Sequence, residues 1–66
     1  MKWVARSQDS KNLKFEIQYD PQAGYYLYIY RDGNCIRDYL EDSLLIAKEC
    51  AYEEYGLSKN AWIKKL

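Results

Sequence analysis

The 66-residue sequence contains no histidine, one proline, three glycines and two cysteines, and these shortages exclude several kinds of site. Without histidine, the chain lacks the commonest general base and metal ligand. Cys35 and Cys50 are too few for a structural zinc site and lack the close pair spacing of zinc ligands. The glycines stand singly at predicted turns and at a helix end, so they form no phosphate-binding loop. We therefore predict a protein that is not an enzyme, with no metal and no cofactor.

An excess of charge of one sign and long hydrophobic runs are also missing. Ten basic residues balance ten acidic residues, whereas a general nucleic-acid or membrane-surface binder usually carries a basic excess. No run approaches the roughly 20 apolar residues of a membrane span. Residues 1–6 lack the apolar core of a signal peptide. These absences predict a cytoplasmic protein with no membrane partner, in which both cysteines are free thiols.

What is present is the composition of a folded protein. Apolar residues make up 48% of the chain and aromatic residues 17%, which is far more than a disordered segment contains. We predict that residues 1–66 form a single small globular domain. Its core must be small, because a chain of about 60 residues buries only about 60% of the surface that it exposes when unfolded.

Three stretches predict the strands of an antiparallel sheet. Residues 13–19 alternate apolar and polar side chains, as a half-buried strand does. Residues 25–30 are rich in tyrosine, and Asp32-Gly33 predicts a tight hairpin into a returning strand over residues 34–39. The sheet has three strands, or four if residues 1–7 pair with residues 13–19 across a polar loop at residues 8–11.

A helix and a short tail complete the predicted fold. The helix spans residues 43–55, with Asp42 as its N-cap and Gly56 at its C-terminal end. One stripe of the helix is apolar and faces the sheet. It contains Leu44, Ala47, Cys50, Ala51 and Tyr55. In the tail, Trp62 and Ile63 should dock on the core. The prediction is thus an α+β fold in the order β-β-β-β-α, with one helix packed on one face of the sheet.

The registers of the two hairpins predict which side chains share a face. A two-residue turn at 32–33 pairs Tyr28 with Arg37, and a five-residue loop at 20–24 pairs Ile17 with Leu27. The helix should then cover a face made of Leu13, Phe15, Ile17, Tyr19, Tyr25, Leu27, Ile29, Ile36 and Leu40. The opposite face holds our candidate interaction surface, which consists of Lys14, Tyr26, Tyr28, Tyr30, Arg37 and Tyr39.

This tyrosine-rich surface supports three interpretations. Tyrosine and arginine are enriched at interface hot spots, so the leading hypothesis is a non-enzymatic protein-interaction module that binds an unknown protein or a second copy of itself. The alternative is single-stranded nucleic-acid binding by base stacking on the same face. It ranks second because Glu16 offsets Lys14 and Arg37 there, and phosphate contacts need several cations. Tyrosine also suits exposed strands through β propensity alone.

The predicted helix side is acidic. Residues 32–56 contain two basic residues against seven acidic ones, whereas residues 57–66 contain three lysines and no acidic residue. An acidic surface can recognise a basic partner by electrostatic complementarity, as inhibitors of nucleases do. Solvation of an ordinary charged helix is the simpler alternative.

About half of the chain resembles HicB-type antitoxin domains. The resemblance rests on the run DPQAGYYLYI at residues 20–29 and on Asp42-Ser43-Leu44 at the start of the helix. In that family a Gly-Tyr strand leads through a second strand to an Asp-Thr-Leu helix start, and members neutralise a small RNA-cleaving toxin. The resemblance implies a small inhibitor-like protein that would use its acidic helix side. The tight hairpin at Asp32-Gly33 and the tail containing Trp62 depart from the family pattern.

Overall fold

A computed structural model describes residues 1–7 and 12–66 and shows an α+β fold with five antiparallel strands in one open sheet. The elements in chain order are β1 (Lys2–Arg6), β2 (Leu13–Asp20), β3 (Gly24–Arg31), β4 (Asn34–Glu41), α1 (Leu44–Tyr55) and β5 (Ile63–Lys65). The strand order across the sheet is β4-β3-β2-β1-β5. The predicted fold class and the strand formed by the N-terminal residues are confirmed. The loop predicted at residues 8–11 lies outside the described residues.

The helix α1 begins one residue later than predicted, because its N-cap is Ser43 and not Asp42. The Ser43 hydroxyl accepts a hydrogen bond of 3.1 Å from the backbone N–H of Ile46. Gly56 ends the helix in the left-handed region, with φ of 71°, as the sequence predicts. Ala47 and Ala51 are fully buried in the predicted stripe, and their small side chains let the helix pack closely on the sheet.

The core lies between α1 and one face of the sheet. Its largest fully buried side chains are Phe15, Ile17, Leu27 and Ile29. Trp62 packs against this core with its ring centroid 6.3 Å from that of Phe15, at an angle of 73°, so the predicted docking of Trp62 is confirmed. The docking predicted for Ile63 is wrong, because this residue opens β5 with 59% of its surface exposed.

The register between β2 and β3 agrees with the prediction, but the register between β3 and β4 does not. Near the turn, Tyr30 pairs with Cys35 as a two-residue hairpin requires. A bulge then leaves Ile36 without a partner, and the register shifts by one residue. Tyr28 consequently lies opposite Asp38 and not opposite Arg37.

The shift reverses the faces predicted for the rest of β4, because side chains alternate along a strand. Arg37 and Tyr39 lie opposite Ile29 and Leu27, on the face that α1 covers. Leu40 pairs with Tyr26 on the other face and is 51% exposed, so it is not part of the core. Ile36 is also outside the core, with 42% of its surface exposed. The sequence pattern had placed both aliphatic residues beneath the helix.

Candidate binding surface on the open face of the sheet

We call the face of the sheet that α1 does not cover the open face. The pairing registers of the five strands place every second side chain on it. Its members are Lys2, Val4 and Arg6 of β1, Lys14, Glu16, Gln18 and Asp20 of β2, Tyr26, Tyr28 and Tyr30 of β3, Cys35, Asp38 and Leu40 of β4, and Ile63 and Lys65 of β5.

Four of the six residues predicted for the interaction surface lie together on the open face. They are Lys14, Tyr26, Tyr28 and Tyr30. The prediction is wrong for the other two, Arg37 and Tyr39, because the bulge in β4 places both on the face that α1 covers.

Three cations of the open face were not predicted as part of the surface. The pairing of β1 with β2 brings Lys2 opposite Gln18 and Arg6 opposite Lys14. Lys65 joins them because β5 pairs with β1, which places it opposite Lys2. Alternation along residues 2–6 could have assigned Lys2 and Arg6, since a strand was predicted there. Nothing in the sequence of residues 63–65 distinguishes a strand from an irregular tail.

The tyrosines form a row along β3, which we call the tyrosine row (Tyr26, Tyr28 and Tyr30). The ring centroids of Tyr26 and Tyr28 are 6.0 Å apart with planes 14° from parallel, and those of Tyr28 and Tyr30 are 6.5 Å apart at 42°. All three side chains are half-buried. Partial burial raises the pKa of Tyr28 and of Tyr30, and neighbouring groups raise it further. Both hydroxyls therefore stay neutral at physiological pH and can donate hydrogen bonds.

The cations lie on the side of the tyrosine row that leads to β5. Two open depressions cover this part of the face, with volumes of about 490 and 620 Å³. Both are lined by Arg6, Lys14 and Glu16, so they form one continuous surface. The first extends to Tyr30, and the second extends to Lys65.

Glu16 lies at the centre of the open face and is buried, with 8% of its surface exposed. Its carboxylate accepts a hydrogen bond from the amide of Gln18 and lies 3.9 Å from the Nζ atom of Lys2. These partners compensate the buried negative charge. Glu16 therefore weakens the positive field of Arg6, Lys14 and Lys65 less than a carboxylate without these partners would.

Arg37 lies on the covered face, and its side chain is exposed. The nearby Tyr39 and Tyr55 hydroxyls raise the pKa of its guanidinium through electrostatic attraction and hydrogen bonding. Because Tyr55 is the last residue of α1, the Arg37 side chain lies near the end of the helix.

The helix side of the molecule is acidic, as the sequence predicts. A depression of about 260 Å³ lies there, lined by Glu41, Ile46, Glu49, Cys50, Glu53 and Glu54. Burial, together with the adjacent carboxylates of Glu41 and Glu54, raises the pKa of the Cys50 thiol to about 11. The thiol is consequently protonated at physiological pH and is a poor nucleophile.

Within residues 1–7 and 12–66, no group of three histidine, cysteine or acidic residues is placed to hold a metal ion. The one helix in these ranges is too short and too polar to cross a bilayer. Comparisons of the chain with protein-family models, with curated proteins and with solved structures found no match. Its function is therefore inferred from its own residues.

Proposed function

We propose that this chain is a non-enzymatic interaction module that binds a partner macromolecule across its open face. The observation that carries the proposal is the tyrosine row, which lies on the face that α1 leaves uncovered, beside the cations of β1, β2 and β5. Aromatic and cationic side chains that are grouped on one surface are typical of binding sites.

The shape of the open face supports an extended partner and not a small substrate. A small-molecule site is concave and buries most of its ligand. Here the two depressions share Arg6 and Lys14 and follow the sheet from the turn after Tyr30 to β5. A partner that lies along this surface would contact several strands at once.

The register of β4 changes the electrostatic argument that favoured a protein partner. From the sequence, Lys14 and Arg37 are the cations expected on this surface, and Glu16 offsets them. Arg37 lies on the covered face, while Lys2, Arg6 and Lys65 are on the open face. Four cations, Lys2, Arg6, Lys14 and Lys65, thus face three acidic residues, Glu16, Asp20 and Asp38, among the residues that the structure describes. The excess of one positive charge on the open face is compatible with a polyanion as well as with a protein partner.

The acidic helix side supports a second candidate function, the capture of a basic protein. The exposed aliphatic side chains of Leu45 and Ile46 lie on α1 close to Glu49 and Glu53 in the sequence. Ile46, Glu49 and Glu53 line the acidic depression. Apolar contact together with charge complementarity is typical of protein inhibitors. This candidate agrees with the function implied by the resemblance to HicB-type antitoxins.

An affinity experiment with variants on opposite faces separates the two candidates. The immobilised chain is exposed to cell extract, and the retained material is analysed before and after nuclease or protease treatment. We expect Tyr28→Ala to lose the retained partner and Glu53→Lys to keep it. Loss with Glu53→Lys alone would assign binding to the helix side. Unchanged retention by both variants would contradict the proposal.

A further inference from the structure

We propose that the partner of the open face is single-stranded nucleic acid, whose bases stack on the tyrosine row while its phosphates contact the cations beside it. This inference rests on the proposed function, because it names the ligand of the same surface. Such a ligand has two repeating features, flat apolar bases and a negatively charged backbone. The tyrosine row complements the bases, and the cations complement the backbone.

The tyrosine row provides a platform for the bases. Residues two apart in a strand are separated by about 6.8 Å, and the observed centroid distances of 6.0 and 6.5 Å follow from this spacing. Successive bases of an extended single strand can meet successive rings in such a row. Stacking is tolerant of sequence, because every base has a π-face. The half-buried state of Tyr26, Tyr28 and Tyr30 fixes the rings and leaves part of each accessible.

The cations lie on β2, β1 and β5, the strands that follow β3 across the sheet. Lys14 on β2 lies directly opposite Tyr30, and Arg6 on β1 lies opposite Lys14. Further along β1, Lys2 is paired with Lys65 of β5. A backbone that passes beside the tyrosine row can therefore contact several cations, as phosphate recognition requires.

The acidic residues of the open face do not cancel this arrangement. Asp38 lies on β4, on the other side of the tyrosine row from the cations. Asp20 lies at the end of β2, where its carboxylate accepts hydrogen bonds from the backbone N–H groups of the following turn. Glu16 lies among the cations, but it accepts a hydrogen bond from Gln18 and has Lys2 close by. On this side of the row the four cations exceed the acidic residues by one. These acidic residues are Glu16, Asp20 and, at the edge of the first depression, Asp32.

The same features argue against the two nearest alternatives. Lysine is depleted in protein–protein interfaces, whereas three of the four cations here are lysines. A duplex keeps its bases stacked on one another inside the helix and offers none to the tyrosines. We therefore expect double-stranded DNA of the same sequence to bind more weakly than the single strand.

The test is a fluorescence-anisotropy titration of the purified full chain with labelled oligodeoxythymidylate and oligouridylate of about ten nucleotides, a length within the range that single domains cover. We expect a dissociation constant between about 10⁻⁴ and 10⁻⁶ M at physiological salt. Three to four phosphate contacts predict a slope of roughly −2 to −3 when log K is plotted against log salt.

Two neighbouring residues of β5 give a matched pair of variants. Lys65 lies on the open face opposite Lys2, and Lys64 lies on the covered face opposite Trp3. We expect Lys65→Ala to weaken binding and to reduce the magnitude of the salt slope by about 0.7, the contribution of one phosphate contact. Lys64→Ala should bind as the wild type does.

A second pair of variants tests stacking. Tyr28→Ala should weaken binding at least about fivefold, as expected when one base loses its aromatic partner. Tyr28→Phe keeps the ring and should retain most of the affinity. Far-UV circular dichroism verifies that each variant is folded, and if Tyr28→Ala is not, the two lysine variants alone decide the question.

Absence of binding at about 0.1 mM protein in low salt would overturn the inference, as would equal effects of Lys64→Ala and Lys65→Ala. Equal affinity for heparin would also overturn it, because heparin has charge but no bases to stack. If oligonucleotides fail to bind while the extract partner is still lost with Tyr28→Ala, the partner is a protein and the proposed function stands. If Tyr28→Ala changes neither measurement, both proposals fail.

Discussion

Arg37 lies directly opposite Ile29 in the ladder between β3 and β4, on the face of the sheet that α1 covers. This pairing is a consequence of the bulge, because without the unpaired Ile36 the hairpin register would place Arg37 beside Tyr28. One additional residue in the edge strand thus moves a cation from the open face to the covered face.

The first prediction compares Arg37 with Lys14. Arg37→Ala should leave oligonucleotide affinity and its salt slope unchanged, because the guanidinium is on the covered face. Lys14→Ala should weaken binding and reduce the magnitude of the slope by about 0.7. Anisotropy titrations of both variants check this. A loss of affinity in Arg37→Ala comparable to that in Lys14→Ala would show that the register without a bulge is the functional one.

The second prediction concerns the charge of Glu16. Glu16→Gln removes a carboxylate from the centre of the basic surface and keeps a side chain that can hydrogen-bond to Gln18. Oligonucleotide binding should become tighter by roughly two- to fivefold, the size expected for one partly screened charge. Glu49→Gln on α1 is the control and should not change the affinity. Weaker binding by Glu16→Gln would indicate that the carboxylate contacts the ligand itself.

The register between β2 and β3 could be predicted, because two independent features of the sequence fix it. Strict alternation in residues 13–19 sorts the side chains by face, and the loop length sets the pairing of Ile17 with Leu27. The register of β4 could not be predicted in the same way. The turn determines only the first pairs, whereas the bulge is associated with tertiary contacts of Arg37 and Tyr39 near Tyr55.

The strand β5 was missed because its formation depends on tertiary structure. It has three residues, of which two are lysines and only Ile63 is β-branched, so its composition indicates a strand only weakly. It pairs with β1 and directly follows Trp62, which packs on the core near Phe15. The missing strand also concealed Lys65, so the sequence underestimated the positive charge of the open face.

The third prediction concerns Gly24, which begins β3 with φ of +124°. A Cβ atom at this position would lie 2.6 Å from the carbonyl oxygen of Glu41. Gly24→Ala should therefore lower the free energy of unfolding by about 1–3 kcal/mol, through backbone strain and this collision. Gly33→Ala meets no atom within 4 Å and should cost less. Urea denaturation of the two variants measures both effects, and equal losses would contradict the close contact at Gly24.

The fourth prediction concerns the stability of the fold at alkaline pH. The pKa of the Cys50 thiol is about 11 in the folded chain and near its ordinary value of 9.0 when the chain is unfolded. Between these values the unfolded state loses the proton that the folded state keeps, so stability falls as the pH rises from 9 toward 11. Cys50→Ala should show a smaller decrease in Tm over this interval.

Tyrosine ionisation also contributes at high pH, but it is common to both proteins. The pKa of Tyr28, Tyr30 and Tyr39 is raised by burial in each, so the difference between wild type and Cys50→Ala isolates the thiol. Parallel Tm curves for the two proteins between pH 9 and 11 would contradict the assignment of Cys50 to a partly buried, acidic environment.

The most direct test of the central claim is an NMR titration of the ring signals of ¹³C-labelled tyrosine with oligodeoxythymidylate. The chain contains eight tyrosines on both sides of the sheet, so their rings report which surface is occupied. We predict saturable chemical-shift changes for Tyr26, Tyr28 and Tyr30. The chemical shifts of Tyr52 and Tyr55 on α1 should not change. Saturable shifts confined to the helix tyrosines, or no shift of the tyrosine row, would contradict the claim that the open face is the binding surface.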